Sequence, residues 1–273
     1  MRLAFIGGGV MAEAMISGVI GTKLSTPSDI STGEPMETRR RHLTEKYGVI
    51  VTPNNNEALD SADLVVLSVK PQQLKTVMLT IRSTLIEEQV VLSIVAGATI
   101  KTLTTGLNHP SIVRVMPNTP AQIGAGMTVW TASENVPHEK ISASKEILRT
   151  LGDEFYVDNE NLVDMATALS ASGPAYVFLF IEALIDAGVH MGMSREMAER
   201  LSLQTVLGSA KLASESGTHP ATLRNMVTSP GGTTAEALRA FESGRFRAVV
   251  LEAVKAAYDR SKELGGAFDQ LPS

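Results

Sequence analysis

The sequence predicts an α/β fold in two parts, a doubly wound parallel sheet followed by an all-helical domain. Up to Asp158, short runs rich in Val and Ile alternate with helical stretches, a pattern typical of a parallel sheet covered on both faces. After Asp158 the strand signal ends, and helix-length segments follow one another. We therefore predict one domain over residues 1–158 and a second over residues 159–273.

The predicted strands of the first domain are short and apolar, and many of their residues are β-branched. They are Leu3–Ile6, Asp29–Thr32, Val49–Val51, Leu64–Val69, Val90–Val95 and Ile112–Met116. The predicted helices between them are Met11–Ile20, Glu37–Tyr47, Gln72–Leu85 and Ile100–Leu107. A strand over Met127–Thr131, a helix over Pro137–Leu151 and a strand over Phe155–Val157 complete the predicted sheet.

The second domain is predicted as helices separated by Gly and Pro, which end and begin helices. They are Asn161–Leu169, Pro174–Met191, Ser194–Ser214, Pro220–Val227, Thr234–Phe241 and Arg245–Leu264. The helix that begins at Pro174 is apolar on nearly every face, so it needs partners all round. We expect a homo-oligomer built on this domain. The alternative is that about 115 residues of helix bury one such segment alone.

Composition excludes several classes of protein. Because 44% of the residues are apolar and 19% charged, the chain can fill a core and is not a disordered protein. The 24 basic and 29 acidic residues give a net charge of −5, without the basic surplus that nucleic-acid binding needs. Since Cys is absent, disulfides, thiolate nucleophiles and Cys-ligated metals are excluded.

Further expectations concern location and metals. The apolar start of the chain is interrupted by three Gly residues and Glu13, which a signal peptide would not tolerate. The run Pro174–Met193 carries Glu182 and Asp186 one helical turn apart, which favours a buried helix over a membrane span. The five His residues show no metal-ligand spacing. We expect a cytoplasmic protein with no nucleic-acid, membrane or metal partner.

A glycine-rich segment after the first predicted strand is typical of a nucleotide-binding turn. Residues 7–12, Gly-Gly-Gly-Val-Met-Ala, fit the pattern G-x-G-x-x-A. In this pattern Gly7 permits the tight turn, Gly9 lets a pyrophosphate approach the backbone, and Ala12 permits close helix–strand packing. The helix N-terminus then offers free N–H groups to the phosphates. We predict a Rossmann-type dinucleotide-binding domain over residues 1–158.

The choice between NAD and NADP depends on the end of the second predicted strand, and two interpretations stay open. Glu34 lies there, about 25 residues after Gly9, where a carboxylate accepts from a ribose 2′-hydroxyl and repels a 2′-phosphate. Against this, Arg39, Arg40 and Arg41 lie at the start of the next helix and offer guanidinium groups to a phosphate. The alternatives are a solvated helix face for the arginines and a solvent-facing loop for Glu34.

Other loops end strands on the side where a doubly wound sheet binds its ligands. They are Asn54-Asn55-Asn56, Val69-Lys70-Pro71, Ala96-Gly97 and Met116-Pro117-Asn118-Thr119-Pro120. Each is rich in residues that turn the chain and form hydrogen bonds, and singly each is an ordinary turn.

A second candidate site lies in the helical domain, in residues 229–236, Ser-Pro-Gly-Gly-Thr-Thr-Ala-Glu. Gly231 and Gly232 let successive N–H groups point at one place near a helix N-terminus, which suits a carboxylate. The hydroxyls of Ser229 and Thr234 add neutral donors. We predict that Thr233 is the N-cap and that Glu236 completes a capping box. The alternative is an interhelical loop with a good cap and no ligand.

Five segments together resemble Δ1-pyrroline-5-carboxylate reductase, the family that catalyses the last step of proline biosynthesis. In order they are Phe5–Ala12, Val69–Pro71, Val115–Pro120, Ser172–Tyr176 and Ser229–Thr234. The resemblance runs from the first strand to about Leu264. Its specific part is Ser-Pro-Gly-Gly-x-Thr, because many dehydrogenases share the nucleotide motif.

The resemblance implies a function and a set of site residues. It implies that NADP or NAD, NADP being the usual choice in the family, delivers hydride to the C=N carbon of a cyclic imine, giving proline. The predicted cofactor-binding residues are Gly7, Gly9, Val10, Met11, Glu34, Asn55, Val69, Lys70, Pro71, Ala96, Gly97, Pro117, Asn118 and Thr119, of which Glu34 follows from its place after the second strand and not from the resemblance. The implied substrate-binding residues are Gly231, Gly232, Thr233 and Thr234, and the catalytic candidates are Thr234 and Ser229.

The resemblance also implies an assembly in which the helical domain interlocks with that of a second subunit. The substrate loop then faces the nucleotide domain of the other subunit. One departure concerns Glu34, because family members that prefer NADPH usually carry a small hydroxylic or basic residue there. Two alternatives remain: a β-hydroxyacid dehydrogenase, disfavoured because no Lys follows Pro174 until Lys211, and a non-enzymatic nucleotide-sensing dimer, which would not need the Ser229–Thr234 loop.

Overall fold

The computed structural model describes residues 1–269, with side chains described through residue 266. The strands are Leu3–Ile6 (β1), Ile30–Gly33 (β2), Ile50–Thr52 (β3), Leu64–Leu67 (β4), Val90–Ser93 (β5), Ile112–Met116 (β6), Gly126–Ala132 (β7) and Gly152–Tyr156 (β8). Within the described residues they form one eight-stranded sheet in the order β3-β2-β1-β4-β5-β6-β7-β8. The order reverses direction between β1 and β4, which is where doubly wound sheets bind ligands.

The helices agree with the predicted pattern and differ mainly at their ends. They are Val10–Gly21 (α1), Glu37–Tyr47 (α2), Asn55–Ala58 (α3), Pro71–Ile81 (α4), Ile100–Leu107 (α5), His138–Arg149 (α6), Asn161–Ala166 (α7), Gly173–His190 (α8), Arg195–Ser216 (α9), Pro220–Met226 (α10), Thr233–Ser243 (α11) and Phe246–Asp269 (α12). The short helix α3 and 3-10 turns over Pro27–Asp29 and Thr119–Ile123 were not predicted, and a π-helical turn over Thr167–Ala171 follows α7.

The sheet is mostly but not wholly parallel, which corrects the prediction of a parallel sheet. β7 runs antiparallel to β6, while β8 runs parallel to β7. The reason is the length of the connection, since residues 117–125 form only a loop with a 3-10 turn. A parallel pair needs a crossover of a dozen or more residues, usually with a helix.

The core of the sheet lies on both of its faces, as a doubly wound fold requires. In β1, Leu3 and Phe5 pack in one apolar cluster, whereas Ala4 and Ile6 pack in another. Successive side chains of a strand point to opposite faces, so these clusters lie on opposite sides of the sheet. The first cluster includes Met15 of α1, and the second includes Leu74 of α4.

The chain divides into two compact units, one of residues 1–172 with 256–273 and one of Gly173–Lys255. The first unit extends beyond the predicted boundary at Asp158 because α7 packs on β6 and β7. Val163 of α7 is fully buried beside Met116 and Val129. The boundary between functional domains therefore stays a prediction, and residues 270–273 of the predicted second domain lie outside the described residues.

The second unit has almost no core of its own. Among residues 173–255, Ala198 is the apolar side chain that is buried. In contrast, Phe178, Leu179 and Leu207 each leave more than 60% of their surface exposed. Within residues 1–269, one helical stretch, Asn161–His190, is long and apolar enough to cross a membrane, and 6% of its most apolar window is buried. These helices therefore present apolar surface that the chain alone does not cover.

Candidate functional site

The glycine-rich turn of the first unit, residues 7–9, forms an open backbone cradle at the start of α1. Gly7 has a φ of +99°, and a Cβ at this position would lie 2.9 Å from the Ser68 carbonyl oxygen. The Gly7 amide donates to the Gly33 carbonyl at 2.8 Å, and the Ser68 hydroxyl donates to the Gly7 carbonyl at 2.7 Å. Any other residue at position 7 would strain the turn. The cradle therefore depends on Gly7, as predicted from the motif.

The N-terminus of α1 begins at this cradle, and no other part of the described chain covers it. Gly9 is its N-cap, and no side chain caps the first turn. A Cβ on Gly9 would meet no atom within 4 Å. The first N–H groups of a helix have no partner within the helix, and the helix dipole favours negative charge there. The backbone at Gly9 is thus accessible to a phosphate group.

A cleft of about 770 Å³ lies beside the cradle, at the carboxyl ends of β1, β2 and β4. Of the predicted cofactor residues, those that line it are Gly7, Gly9, Val10, Glu34, Asn55, Val69 and Lys70. Met11 and Pro71 lie next to lining residues in α1 and α4 without lining the cleft. Lining residues that the sequence did not single out are Gly33, Pro35, Met36, Thr38, Ser68, Gln72, Gln73, Thr76 and Val77. Gln72 and Gln73 could have been predicted, because they follow the singled-out Pro71 in the first turn of α4.

Glu34 holds a fixed position in this cleft. Its side chain follows β2, and the residue is only 8% exposed. The carboxylate accepts the Gly8 amide on one oxygen and the Met36 amide on the other, each at 2.9 Å. The suggestion that Glu34 lies in a solvent-facing loop is therefore wrong, because two backbone N–H groups hold the carboxylate against the glycine-rich turn.

The three arginines of α2 differ in their contacts. Arg39 donates to the carbonyls of Gly8 and Gly9 and to the Glu13 carboxylate. Arg40 donates to the carbonyls of Glu34 and Pro35. Arg41 is exposed. The interpretation of all three as a solvated face is thus wrong for Arg39 and Arg40, whose guanidinium groups hold the backbone around the cleft.

Glu13 is the centre of a charged cluster behind the cradle. Its carboxylate accepts from Arg39, His42, Lys46 and Tyr47. Burial acts to raise the pKa of Glu13, but the hydrogen bonds from Lys46, His42, Arg39 and Tyr47 together bring this pKa well below its usual value. The hydrogen bond with the Glu13 carboxylate in turn raises the pKa of Lys46. Glu13 therefore stays ionised and ties α1 to α2.

The predicted residues after β5 and β6 do not line the cleft. Gly97 has a φ of +78°, and a Cβ on it would lie 3.0 Å from the Gly265 amide nitrogen of α12. Asn118 donates to the Ser170 carbonyl at 3.3 Å and accepts the Met127 amide at 2.9 Å. The roles of the side chains of Ala96, Gly97, Pro117, Asn118 and Thr119 in cofactor binding stay predictions.

The glycine loop of the second unit differs from its prediction at the helix start. Gly232, not Thr233, is the N-cap of α11, and no side chain caps this helix. A Cβ on Gly232 would overlap the Ser229 hydroxyl and lie 3.2 Å from the Ser229 carbonyl oxygen, so the Ser229 side chain packs closely against this glycine. Glu236 instead pairs with Arg239 at 2.9 Å. The predicted capping box is therefore wrong, and the first turn of α11 remains open.

Consequently, the loop offers a specific set of donors. Gly231 has a φ of +68°, and the Gly232 amide donates to the Ser229 carbonyl at 3.1 Å, which closes a turn. The Gly232 amide is therefore occupied within the turn and is not a free donor for a ligand. The amides of Thr233, Thr234 and Ala235 are the first-turn donors, and such donors suit an anion.

The residues that line the cleft of the first unit determine which class of ligand it suits. In the first unit, Gly7, Gly9, Glu34 and Asn55 line the cleft at the carboxyl ends of the strands, which is where a doubly wound domain holds a nucleotide. Within the described residues, no group of three or more His, Asp or Glu side chains is arranged to hold a metal ion.

Family models match both parts of the chain. Residues 2–97 match the model described as NADP oxidoreductase coenzyme F420-dependent, and residues 160–264 match the model described as pyrroline-5-carboxylate reductase dimerisation. Among curated proteins, pyrroline-5-carboxylate reductase of Synechocystis is 44% identical over 97% of this chain and 98% of its own length. That of Escherichia coli is 39% identical over 96% of this chain and 98% of its own length.

Solved structures agree with these matches. A pyrroline-5-carboxylate reductase from Coxiella burnetii is 38% identical, covers 96% of this chain and 98% of its own, and has a TM-score of 0.88. The pyrroline carboxylate reductase of Plasmodium falciparum with NADP bound is 33% identical, covers 97% of this chain and 98% of its own, and has a TM-score of 0.89. The likeness therefore extends over both units.

Proposed function

Because the chain belongs to the pyrroline-5-carboxylate reductase family, we propose that it performs the last step of proline biosynthesis. It reduces Δ1-pyrroline-5-carboxylate to L-proline by hydride transfer from NAD(P)H to the cyclic imine carbon. This membership favours the reductase over a β-hydroxyacid dehydrogenase or a nucleotide sensor. Because a chain without Cys suits a compartment without disulfide chemistry, we propose that the enzyme is cytoplasmic. The net charge of −5 supports the further proposal that it has no nucleic-acid partner, and we propose no membrane partner.

The first unit holds the cofactor. A bound NAD(P)H supplies the hydride. The cradle at Gly7 and Gly9 receives its pyrophosphate, because the N–H groups of α1 face open space there. Asn55, Val69 and Lys70 border its adenosine end in the cleft. The loops with Ala96, Gly97 and Asn118 serve its nicotinamide end, as the family resemblance implies.

The second unit holds the substrate. The single observation that carries this assignment is the uncapped N-terminus of α11, which begins directly after Gly231 and Gly232. The amides of Thr233 and Thr234 bind the substrate carboxylate. The Thr234 hydroxyl donates a hydrogen bond to the ring nitrogen, which makes the C=N carbon more electrophilic. The Ser229 hydroxyl is a further donor beside the turn.

The experiment that tests this assignment removes one hydroxyl. Thr234→Ala is expected to lower kcat by about 10- to 100-fold, the scale of one lost transition-state donor or somewhat less. Thr222→Ala, which removes an exposed hydroxyl from α10, is the matched control and should leave kcat unchanged. Steady-state kinetics with the imine at saturating cofactor measure both. An unchanged kcat in Thr234→Ala would remove this hydroxyl from the mechanism.

We also propose that the second unit dimerises with a second copy and that the active site is composite. The exposed Phe178, Leu179 and Leu207 support the proposal, because a soluble chain buries such side chains in an assembly. Next to the glycine loop, Met226 and Val227 are 75% and 68% exposed. In a composite site, this loop meets the cofactor cleft of the partner subunit.

Mixed dimers test the composite site. One subunit carries Gly9→Asp, which places a carboxylate against the phosphates, and the other carries Thr234→Ala. If each site combines two subunits, a mixed dimer keeps one intact site, so random mixing restores about one quarter of wild-type activity. If each site lies within one subunit, mixing restores nothing beyond the residual activity of the separate variants.

A further inference from the structure

We propose that Glu34 makes the cofactor cleft select NADH over NADPH. The inference rests on the proposed use of a nicotinamide cofactor and specifies which one. It concerns the adenosine end of the cleft, where the two cofactors differ by a single phosphate group on the ribose 2′-oxygen. The charges that line this end decide which form is accepted.

The Glu34 carboxylate is fixed rather than mobile. Its two oxygens accept the amides of Gly8 and Met36 at 2.9 Å each, and the residue is 8% exposed. Rotating it away would leave both amides without their acceptor, so the carboxylate does not swing aside for a phosphate. A carboxylate has about four acceptor positions, of which these amides use two. The others are available for ribose hydroxyls.

The position of Glu34 is that of the adenosine ribose. It follows β2 directly and lines the cleft together with Gly7, Gly9 and Asn55. In a doubly wound nucleotide domain, an acidic residue at the end of the second strand accepts from the ribose 2′-hydroxyl. A 2′-phosphate at the same place would bring two negative groups together in a partly enclosed cleft, where solvent screens them less than in open water.

The cations near this end do not compensate for Glu34. Among the described lining residues, Arg39 and Lys70 are the cations. The Arg39 guanidinium already serves the Glu13 carboxylate and the carbonyls of Gly8 and Gly9. Lys70 follows β4, which is separated from β2 by β1 in the sheet.

Arg40, just outside the lining, donates to the carbonyls of Glu34 and Pro35. Arg41 is exposed and does not line the cleft. Arg39 and Arg40 therefore hold the protein backbone, and the fixed negative charge at the ribose position is that of Glu34. The arrangement suits a free 2′-hydroxyl and disfavours a 2′-phosphate.

The test measures cofactor binding without the imine. Dissociation constants of the wild-type protein for NADH and NADPH follow from the change in nicotinamide fluorescence on titration. We expect NADH to bind at least about tenfold more tightly, a difference of about 1.4 kcal/mol. Competition by ADP and by its 2′-phosphorylated form should show the same order, because they carry the discriminating group without the nicotinamide.

Two variants connect the preference to Glu34. Glu34→Gln removes the charge and keeps the size, and Glu34→Ser also opens the space, so each should lower the NADPH to NADH ratio of dissociation constants at least about threefold. Glu37→Gln is the matched control, because this exposed carboxylate lies three residues away in α2 and does not line the cleft. It should leave the ratio unchanged.

Several results would overturn the proposal. The first such result is equally tight binding of NADPH and NADH by the wild-type protein. This result does not depend on whether any variant folds. An unchanged ratio in Glu34→Gln with intact binding is another. Tight, selective NADH binding without imine reduction would instead sustain the cofactor inference and refute the proposed function, so the two failures are distinguishable.

Discussion

Gly18 in α1 provides a sharp test of how closely the elements of the first unit pack. In a helix interior, Gly→Ala normally stabilises a protein by about 1 kcal/mol, because Ala loses less backbone entropy on folding. At Gly18, however, the added Cβ would overlap the Thr150 hydroxyl and lie 2.8 Å from the Thr150 Cβ and 3.2 Å from its carbonyl oxygen. The helical gain and the packing cost therefore have opposite signs.

The packing cost is expected to be larger. The Thr150 hydroxyl donates to the Ile147 carbonyl at 2.7 Å, so turning it away costs about 1 kcal/mol. Rotation does not move the Thr150 Cβ, so α1 must also shift, and overpacking of this kind costs about 1–3 kcal/mol. Gly18→Ala should therefore lower the free energy of unfolding by about 1–2 kcal/mol.

Gly21 in the same helix is the matched control, because a Cβ there would meet no atom within 4 Å. Gly21→Ala should raise the free energy of unfolding by about 0.5–1 kcal/mol. Urea denaturation followed by circular dichroism measures both variants at one protein concentration, since the proposed assembly would contribute to stability. If Gly18→Ala is as stable as Gly21→Ala, the close packing of α1 on Thr150 is refuted. Adding Thr150→Ala should recover part of the loss, because it removes the overlapping hydroxyl.

Two further predictions concern the cradle and the charged cluster behind it. Gly7→Ala should weaken NADH binding at least about tenfold, since the residue has a φ of +99° and its Cβ would meet the Ser68 carbonyl; fluorescence titration measures this, and unchanged affinity would contradict the described turn. Because the pKa of Glu13 is lowered on folding, this group stabilises the protein above its usual pKa of 4.5, and the stabilisation is lost as the pH falls below that value. Glu13→Gln should therefore reduce the loss of stability between pH 6 and pH 3, as measured by urea denaturation, and an unaltered pH dependence would argue against the Glu13–Lys46 hydrogen bond.

The sequence predicted most elements because their signals are local. Strand β1 and helices α2 and α5 have the predicted bounds, because β1 is a short continuous apolar run and the two helices end at left-handed Gly48 and Asn108. The direction of β7 was missed because the Val and Ile pattern of a strand carries no information about its orientation. The short loop over residues 117–125 contained that information.

The site was predictable in part. The G-x-G-x-x-A motif located the cradle because its glycines are required by geometry, as Gly7 illustrates. The environment of Glu34 was not predictable, because its amide partners and the engagement of Arg39 with Glu13 depend on contacts between distant parts of the chain. The N-cap of α11 was misplaced by one residue, because Thr is the stronger cap by preference, whereas Gly232 has the extended backbone of the N-cap and Thr233 is already helical.

The scarcity of buried apolar side chains in Gly173–Lys255, where Ala198 is the exception, has a consequence for how the protein matures. In the proposed dimer, the helices of this unit acquire a hydrophobic interior only when a second copy binds. Their maturation would then be second-order in chain concentration, whereas folding of the first unit is first-order. At low expression, encounter between chains would limit the formation of the proposed composite site.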